Sequence, residues 1–168
     1  MRILGIDPGY ATVGYGVVDF NAFRFSVGSC GAVTTPANEV FSKRLKAIYD
    51  DLCFIIEKYK PECLSIEKLY FNTNTTTAID VAQARGGILL AAENKELPVF
   101  EYTPLQVKQS VTGYGRAEKR QVMEMVKNLL GLEAVPKPDD AADALALAVC
   151  HGHSAGSRYQ RICLEVGK

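Results

Sequence analysis

Four acids in this chain have the types and placement to do chemistry together: Asp7, Glu67, Asp140 and Asp143. Arg2-Ile3-Leu4-Gly5-Ile6-Asp7 reads as a short apolar strand that ends in an acid, and Leu64-Ser65-Ile66-Glu67 reads the same way. Asp140-Ala141-Ala142-Asp143 opens an Ala/Leu-rich helix with both acids on one face. Like charges gathered in one place repel and cost stability. A chain that gathers them anyway suits a divalent metal, and ligation by oxygen alone favours Mg²⁺ or Mn²⁺. Two such ions clamped by acids form an apparatus for phosphodiester hydrolysis. Each signal also has a plainer reading. Asp7-Pro8-Gly9 can be a simple turn, and Asp140 a first-turn acid on a helix dipole. Asp139 reads as the helix cap.

Basic residues cluster in one stretch. Lys108, Arg116, Lys119, Arg120 and Lys127, set against Glu118 and Glu124, give residues 108–127 a net charge of +3. A solvated helix face accounts for Arg120 and Lys127. Lys108 and Lys119 flank the Gly-rich loop Thr112-Gly113-Tyr114-Gly115, a placement that favours phosphate contact. Tyr70 and Phe71 follow the Glu67 strand. Phe71 reads as a core residue, and Tyr70 as a ring able to stack on an unpaired base. Cys150-His151-Gly152-His153 lacks a second pair of zinc ligands, so His151 and His153 read as surface or tail residues.

The elements that would carry these residues follow from periodicity. Residues 2–7, 14–18 and 23–34 read as three strands joined by short turns, an antiparallel meander. Phe41, Leu45, Ile48, Leu52, Ile55 and Tyr59 mark an amphipathic helix that Pro61 ends. Cys63 to Glu67 is a fourth strand and Pro98 to Tyr102 a fifth. Between them a helix carries Ala78, Ala82 and Gly86 four residues apart, a stripe that lets another helix approach closely. Short helices are expected over 104–110 and around Val122 to Leu130, and a last one over 139–150. The predicted fold class is α/β, a five-stranded mixed sheet flanked by helices on both faces. If the first and fourth strands are parallel neighbours, Asp7 and Glu67 emerge on one edge. Residues 1–152 then form one domain, and 153–168 a polar C-terminal tail.

Composition sets limits. The chain has 168 residues, 48% of them hydrophobic, enough for one sizeable core. Nineteen basic residues balance nineteen acidic ones. With the four candidate ligands set aside, nineteen bases face fifteen acids, a balance compatible with nucleic acid. Five cysteines without a Cys-x-x-Cys point to reduced, mostly buried thiols rather than a disulfide framework. No apolar run approaches membrane length and no signal peptide precedes the first strand, so a cytoplasmic location with no membrane partner is expected.

Six segments in order resemble the RuvC family of Holliday-junction resolvases, across nearly the whole chain. They are Gly5-Ile6-Asp7-Pro8-Gly9, Ile66-Glu67 with Tyr70-Phe71, Gln83-Ala84-Arg85-Gly86, Gln106-Val107-Lys108-Gln109, Gly115-Arg116-Ala117-Glu118-Lys119 and Asp140-Ala141-Ala142-Asp143-Ala144-Leu145. The resemblance implies a ribonuclease-H-like fold and a homodimeric, Mg²⁺-dependent endonuclease, with two ions per site and Mn²⁺ as a substitute. Such an enzyme nicks opposed strands of four-way junction DNA symmetrically in recombination and repair, leaving 5′-phosphate and 3′-hydroxyl ends. Asp7, Glu67, Asp140 and Asp143 match the catalytic, metal-binding acids. Some relatives carry His at the position of Asp140. Tyr70, Lys108, Arg116 and Lys119 become DNA-contacting candidates, and a branch-migration motor of the RuvA and RuvB type becomes a partner. Three rivals remain at this point: a ribonuclease-H-like nuclease that trims ribosomal RNA, an actin-like ATPase, and a non-catalytic junction-binding module. The region from Lys108 to Lys119, the single domain and the retained acids weigh against them in turn.

Overall fold

In the computed structural model the main chain is described over residues 1–69 and 77–166, and side chains over 1–69 and 77–156. The elements are β1 (Arg2–Asp7), β2 (Thr12–Asn21), β3 (Arg24–Thr34), α1 (Phe41–Tyr59), β4 (Cys63–Glu67), α2 (Ala78–Asn94), β5 (Val99–Tyr102), α3 (Pro104–Thr112), α4 (Lys119–Leu129) and α5 (Asp139–Val166). The sheet order is β3-β2-β1-β4-β5. The first three strands form the expected antiparallel meander, and β4 runs parallel to both β1 and β5.

Side-chain alternation assigns each residue of the central strands to a face. Leu4, Ile6, Leu64 and Ile66 point to one side, where Ile48, Leu52 and Ile55 of α1 and Ala84 and Ile88 of α2 cover them. Ile3 and Cys63 point to the other, where they meet Val107 of α3, Val122 and Val126 of α4, and Leu145 and Val149 of α5. The helices thus cover both faces, and β1 and β4 are buried on both sides, as their near-continuous apolar runs require.

α5 lies against β1 and β2 because those strands carry glycine where it crosses. A Cβ on Gly5 would stand 1.9 Å from the Ala144 carbonyl oxygen, and one on Gly14 would stand 2.0 Å from that of Asp140. Gly5 pairs with Gly16 across the strands, and a Cβ on Gly16 would meet Leu145. The three glycines form a trough that seats a helix lined by Ala141, Ala144 and Ala148. On the β4 side the Ser65 hydroxyl donates to the Leu147 carbonyl at 2.7 Å, fully buried.

α5 also runs further than its sequence suggests, through Val166 rather than stopping near Cys150. His151 and His153, expected at the surface or in a tail, are instead packed along it. His151 is only 5% exposed, its ring stacked on Phe100 with centroids 4.2 Å apart and its Nδ1 2.8 Å from the Tyr102 hydroxyl. His153 meets Phe25 edge-on and places its Nδ1 3.2 Å from the Ser110 carbonyl oxygen. Burial lowers its pKa. β5 and α3 supply aromatic and hydrogen-bonding partners, which make two polar-looking residues good interior ones.

Cys30, Cys53, Cys63 and Cys150 are free thiols, and burial pushes Cys63 up to about 12 and Cys150 up to about 11. Among the described residues, no helix is long and apolar enough to cross a membrane.

Candidate active site

Asp7 and Glu67 are the last residues of the two central parallel strands. The β1–β4 ladder ends at Ile6 opposite Ile66, so both acids stand just beyond the last paired residues. Alternation puts Asp7 on the same face as Gly5, and Glu67 on the same face as Ser65. That is the face covered by α5. Asp7 pairs with Gly14 on β2, and Gly14 is where the main chain of Asp140 touches the sheet. One helical turn on, Asp143 projects from the same face of α5. Two strand ends and one helix start therefore converge on one edge of the sheet.

The electrostatics record this convergence. Burial first, then the charges of Asp143, Glu67 and Asp140, push Asp7 up to about 7, against a counter-pull from Lys119. Glu67 is also raised, by burial and then by Asp143. The acids sense one another, yet among the described residues no three His, Cys, Asp or Glu side chains already stand together in ligand geometry. One of the acids is engaged by Lys119 instead. Its Nζ lies 2.9 Å from Asp143 Oδ2 and 3.7 Å from Asp139 Oδ2, so Asp143 is turned to an ammonium. These contacts raise the pKa of Lys119. Asp139, read from sequence as a cap, is the first residue of α5 and shares this lysine.

Two short helices deliver the lysines. α3 starts in a capping box, in which Thr103 Oγ1 accepts from the Gln106 amide at 3.1 Å and Gln106 Oε1 accepts from the Thr103 amide at 2.9 Å. α4 opens with Glu118 and Gln121 in the same arrangement. Both helices bury valines against α5. Their polar ends overhang a cleft of ≈ 250 Å³ whose walls include Glu67, Lys108, Lys119 and Asp143. Arg116 is exposed in the connection between α3 and α4 and does not line the cleft. Tyr70 and Phe71 lie outside the described residues.

Comparison with known proteins bears on what this edge is for. The family model described as crossover junction endodeoxyribonuclease RuvC matches residues 3–151. This chain belongs to the RuvC family. The crossover junction endodeoxyribonuclease RuvC of Ruminiclostridium cellulolyticum is 56% identical over 154 residues, 92% of this chain and 93% of that protein. The solved Thermus thermophilus RuvC has a TM-score of 0.87 at 34% identity, covering 94% of this chain and 96% of that one. T. thermophilus RuvC in complex with Holliday junction substrate superposes with a TM-score of 0.86 at 32% identity, with the same coverage. The ribonuclease-H-like sheet expected from sequence is thus the RuvC fold.

Two residues beside the acids carried no assigned role in the sequence reading. Ser65 is the buried tie between β4 and α5. Arg85 of α2 donates from Nε to the Glu67 carbonyl at 3.3 Å and from Nη2 to the Glu101 carboxylate. The one basic residue of α2, midway along a helix made mainly of small and apolar residues, was the available signal for Arg85.

Proposed function

We infer that this protein is a structure-selective endonuclease that resolves four-way DNA junctions by paired, symmetric nicks in recombination and repair. The observation that carries the reading is that Asp7, near one sheet edge, lies close enough to Glu67, Asp140 and Asp143 to sense their charges, in a chain of the RuvC family. The donor set fits hard divalent cations, because the donors are oxygen and because charges that raise one another's pKa are relieved by a cation. Mg²⁺ is the proposed ion, two per site, with Mn²⁺ able to replace it. Asp7, Glu67, Asp140 and Asp143 would hold them, with Asp7 at the centre of the set. Bound there, the ions supply an acidified water and charge neutralisation at the leaving 3′ oxygen.

The chain's own groups do the rest. With Asp143 given over to the ions, Lys119 would keep only its longer contact to Asp139, and its ammonium could offset charge building on the scissile phosphate. Lys108, which lines the same cleft, would hold the backbone of the same strand. Tyr70 would stack on a base opened at the crossover, and Arg116 would contact phosphate outside the cleft. The products are 5′-phosphate and 3′-hydroxyl ends.

A two-fold symmetric substrate calls for a two-fold symmetric enzyme. The exposed face of α2, with Ile79 66% and Leu90 55% exposed and nothing within 4 Å of a Cβ on Gly86, is the proposed dimer surface. A RuvA- and RuvB-type motor is the proposed partner, and the cytoplasm the proposed location.

The test incubates purified protein with labelled four-way and linear duplex DNA, with Mg²⁺, Mn²⁺ or chelator. Junction-only, metal-dependent, symmetric cutting that Asp7→Asn abolishes while junction binding persists is expected. Equal cutting of linear duplex, or normal cutting by Asp7→Asn, would overturn the reading.

A further inference from the structure

Arg85 is the only basic residue of α2, and its side chain is 14% exposed. A guanidinium is pulled out of water only where its donors are used. Two of them reach across from the helix to the sheet. Nε donates to the Glu67 carbonyl at 3.3 Å, and Nη2 meets Glu101 Oε1, one strand further out. Glu67 stands just past the last β1–β4 pair. On the β5 side the strand end is still held, because the Lys68 amide donates to the Tyr102 carbonyl at 2.8 Å. Arg85 therefore donates where the β1 side of the ladder gives out.

The carbonyl and the side chain of Glu67 share one Cα. Fixing the carbonyl fixes the direction in which the carboxylate leaves the strand. The fork is braced in turn by Glu101, which pairs with Ile66 in the β4–β5 register. We propose that Arg85 is a positioning residue for Glu67: it grips the end of β4 from α2 and sets the angle at which the carboxylate faces Asp7. This rests on the reading of the acids as a metal site. Groups that orient a metal ligand without touching the metal typically contribute about 10–100-fold in metal affinity or activity. Arg85 also ties the helix of the proposed dimer surface to the acids, with Gly86 as its neighbour in sequence.

The test uses the full chain and reads metal binding apart from cutting. Melting temperature is followed while Mn²⁺ is titrated into wild type, Arg85→Lys and Glu101→Gln. Junction cleavage is measured across the same Mn²⁺ range. Arg85→Lys keeps the charge but loses the fork. It should melt within a few degrees of wild type without metal, need about ten-fold more Mn²⁺ for half-maximal stabilisation, and recover cutting in part at high Mn²⁺. Glu101→Gln, which leaves Arg85 without its brace, should shift the midpoint the same way by less. If Arg85→Lys does not fold, the Glu101→Gln midpoint decides alone. A lowered melting temperature with an unchanged Mn²⁺ midpoint would make Arg85 merely structural and overturn the assignment. A wild type that Mn²⁺ does not stabilise would overturn the metal-site reading itself, and the assignment with it. Metal stabilisation of wild type without junction cutting would sink the nuclease reading and leave the assignment to be decided by the midpoints.

Discussion

Gly14→Ala should separate folding from catalysis in this protein. The added Cβ would lie 2.0 Å from the Asp140 carbonyl oxygen, 2.4 Å from its carbon and 3.0 Å from its Cβ. Ordinary C···O contact begins at roughly 3.3 Å, so the start of α5 must lift by about 1 Å or more. Overpacking of this kind costs typically about 1–3 kcal/mol. For a chain of this size each kcal/mol lowers the melting temperature by roughly 2–4 °C, which leaves the protein folded at assay temperature. The displaced turn carries Asp140 and leads to Asp143, while Asp7 sits directly across the ladder from Gly14. A misplacement of about 1 Å in such a constellation costs on the order of 10²-fold in rate. Single-turnover junction cleavage in saturating Mg²⁺, beside urea unfolding of the same preparation, measures both terms. Gly5→Ala is the contrast. Its Cβ would meet the Ala144 carbonyl oxygen at 1.9 Å and the Ala148 amide nitrogen at 2.9 Å, in mid-helix, where α5 cannot pivot. There stability should fall first, and activity should follow the folded fraction. A Gly14→Ala protein that cuts within about three-fold of wild type would refute the idea that the seating of α5 sets the geometry of the acids.

The protonation of Asp7 gives a second expectation. Its pKa is about 7 in the folded protein against an ordinary 3.8, so between about pH 4 and 7 the folded state holds a proton that the unfolded chain has released. Metal-free stability should therefore fall as pH rises through that window, by on the order of a few kcal/mol. Asp7→Asn should flatten the profile and melt higher than wild type at pH 8, and a metal-free wild type with level melting temperatures from pH 5 to 8 would contradict this. Gly86→Leu should leave the protomer intact, since nothing lies within 4 Å of the new Cβ. Loss of a helical glycine should even add up to about 1 kcal/mol, while sedimentation shows weaker self-association. A wild type that is monomeric at micromolar concentration would defeat the α2 dimer.

The candidate site was readable where the local pattern and the tertiary need coincide. A buried strand that ends in an acid is a conspicuous exception to its own apolar run, and both Asp7 and Glu67 were visible for that reason. Their common face followed from alternation once β1 and β4 proved to be parallel neighbours. The end of α5 was not readable, because His151 counts as polar in any pattern and is buried here by Phe100 and Tyr102. The glycines of β1 and β2 were equally silent, since a glycine in a strand does not announce which helix will lie on it. Arg116 shows the converse: a basic residue near a lysine in sequence stays at the surface, away from the cleft. In α2, Ala84, Ile88, Ala91 and Ala92 face the core while Gly86 faces open space, a division that small and apolar residues on both faces conceal.

The glycine trough has a consequence for how the protein comes into being. The strands that carry it are made well before the helix that fills it, which follows every other described element in the chain. During synthesis, β1 and β2 therefore leave the ribosome with a bare apolar groove and an unopposed acid, and that groove stays open until α5 emerges. Contacts between distant parts of a chain are slow to form because loop closure must come first. The four acids cannot meet until that closure is complete, so a chain stalled before Asp139 carries half of the site and none of its geometry. An enzyme that cuts DNA is in this way kept unarmed until its fold is finished.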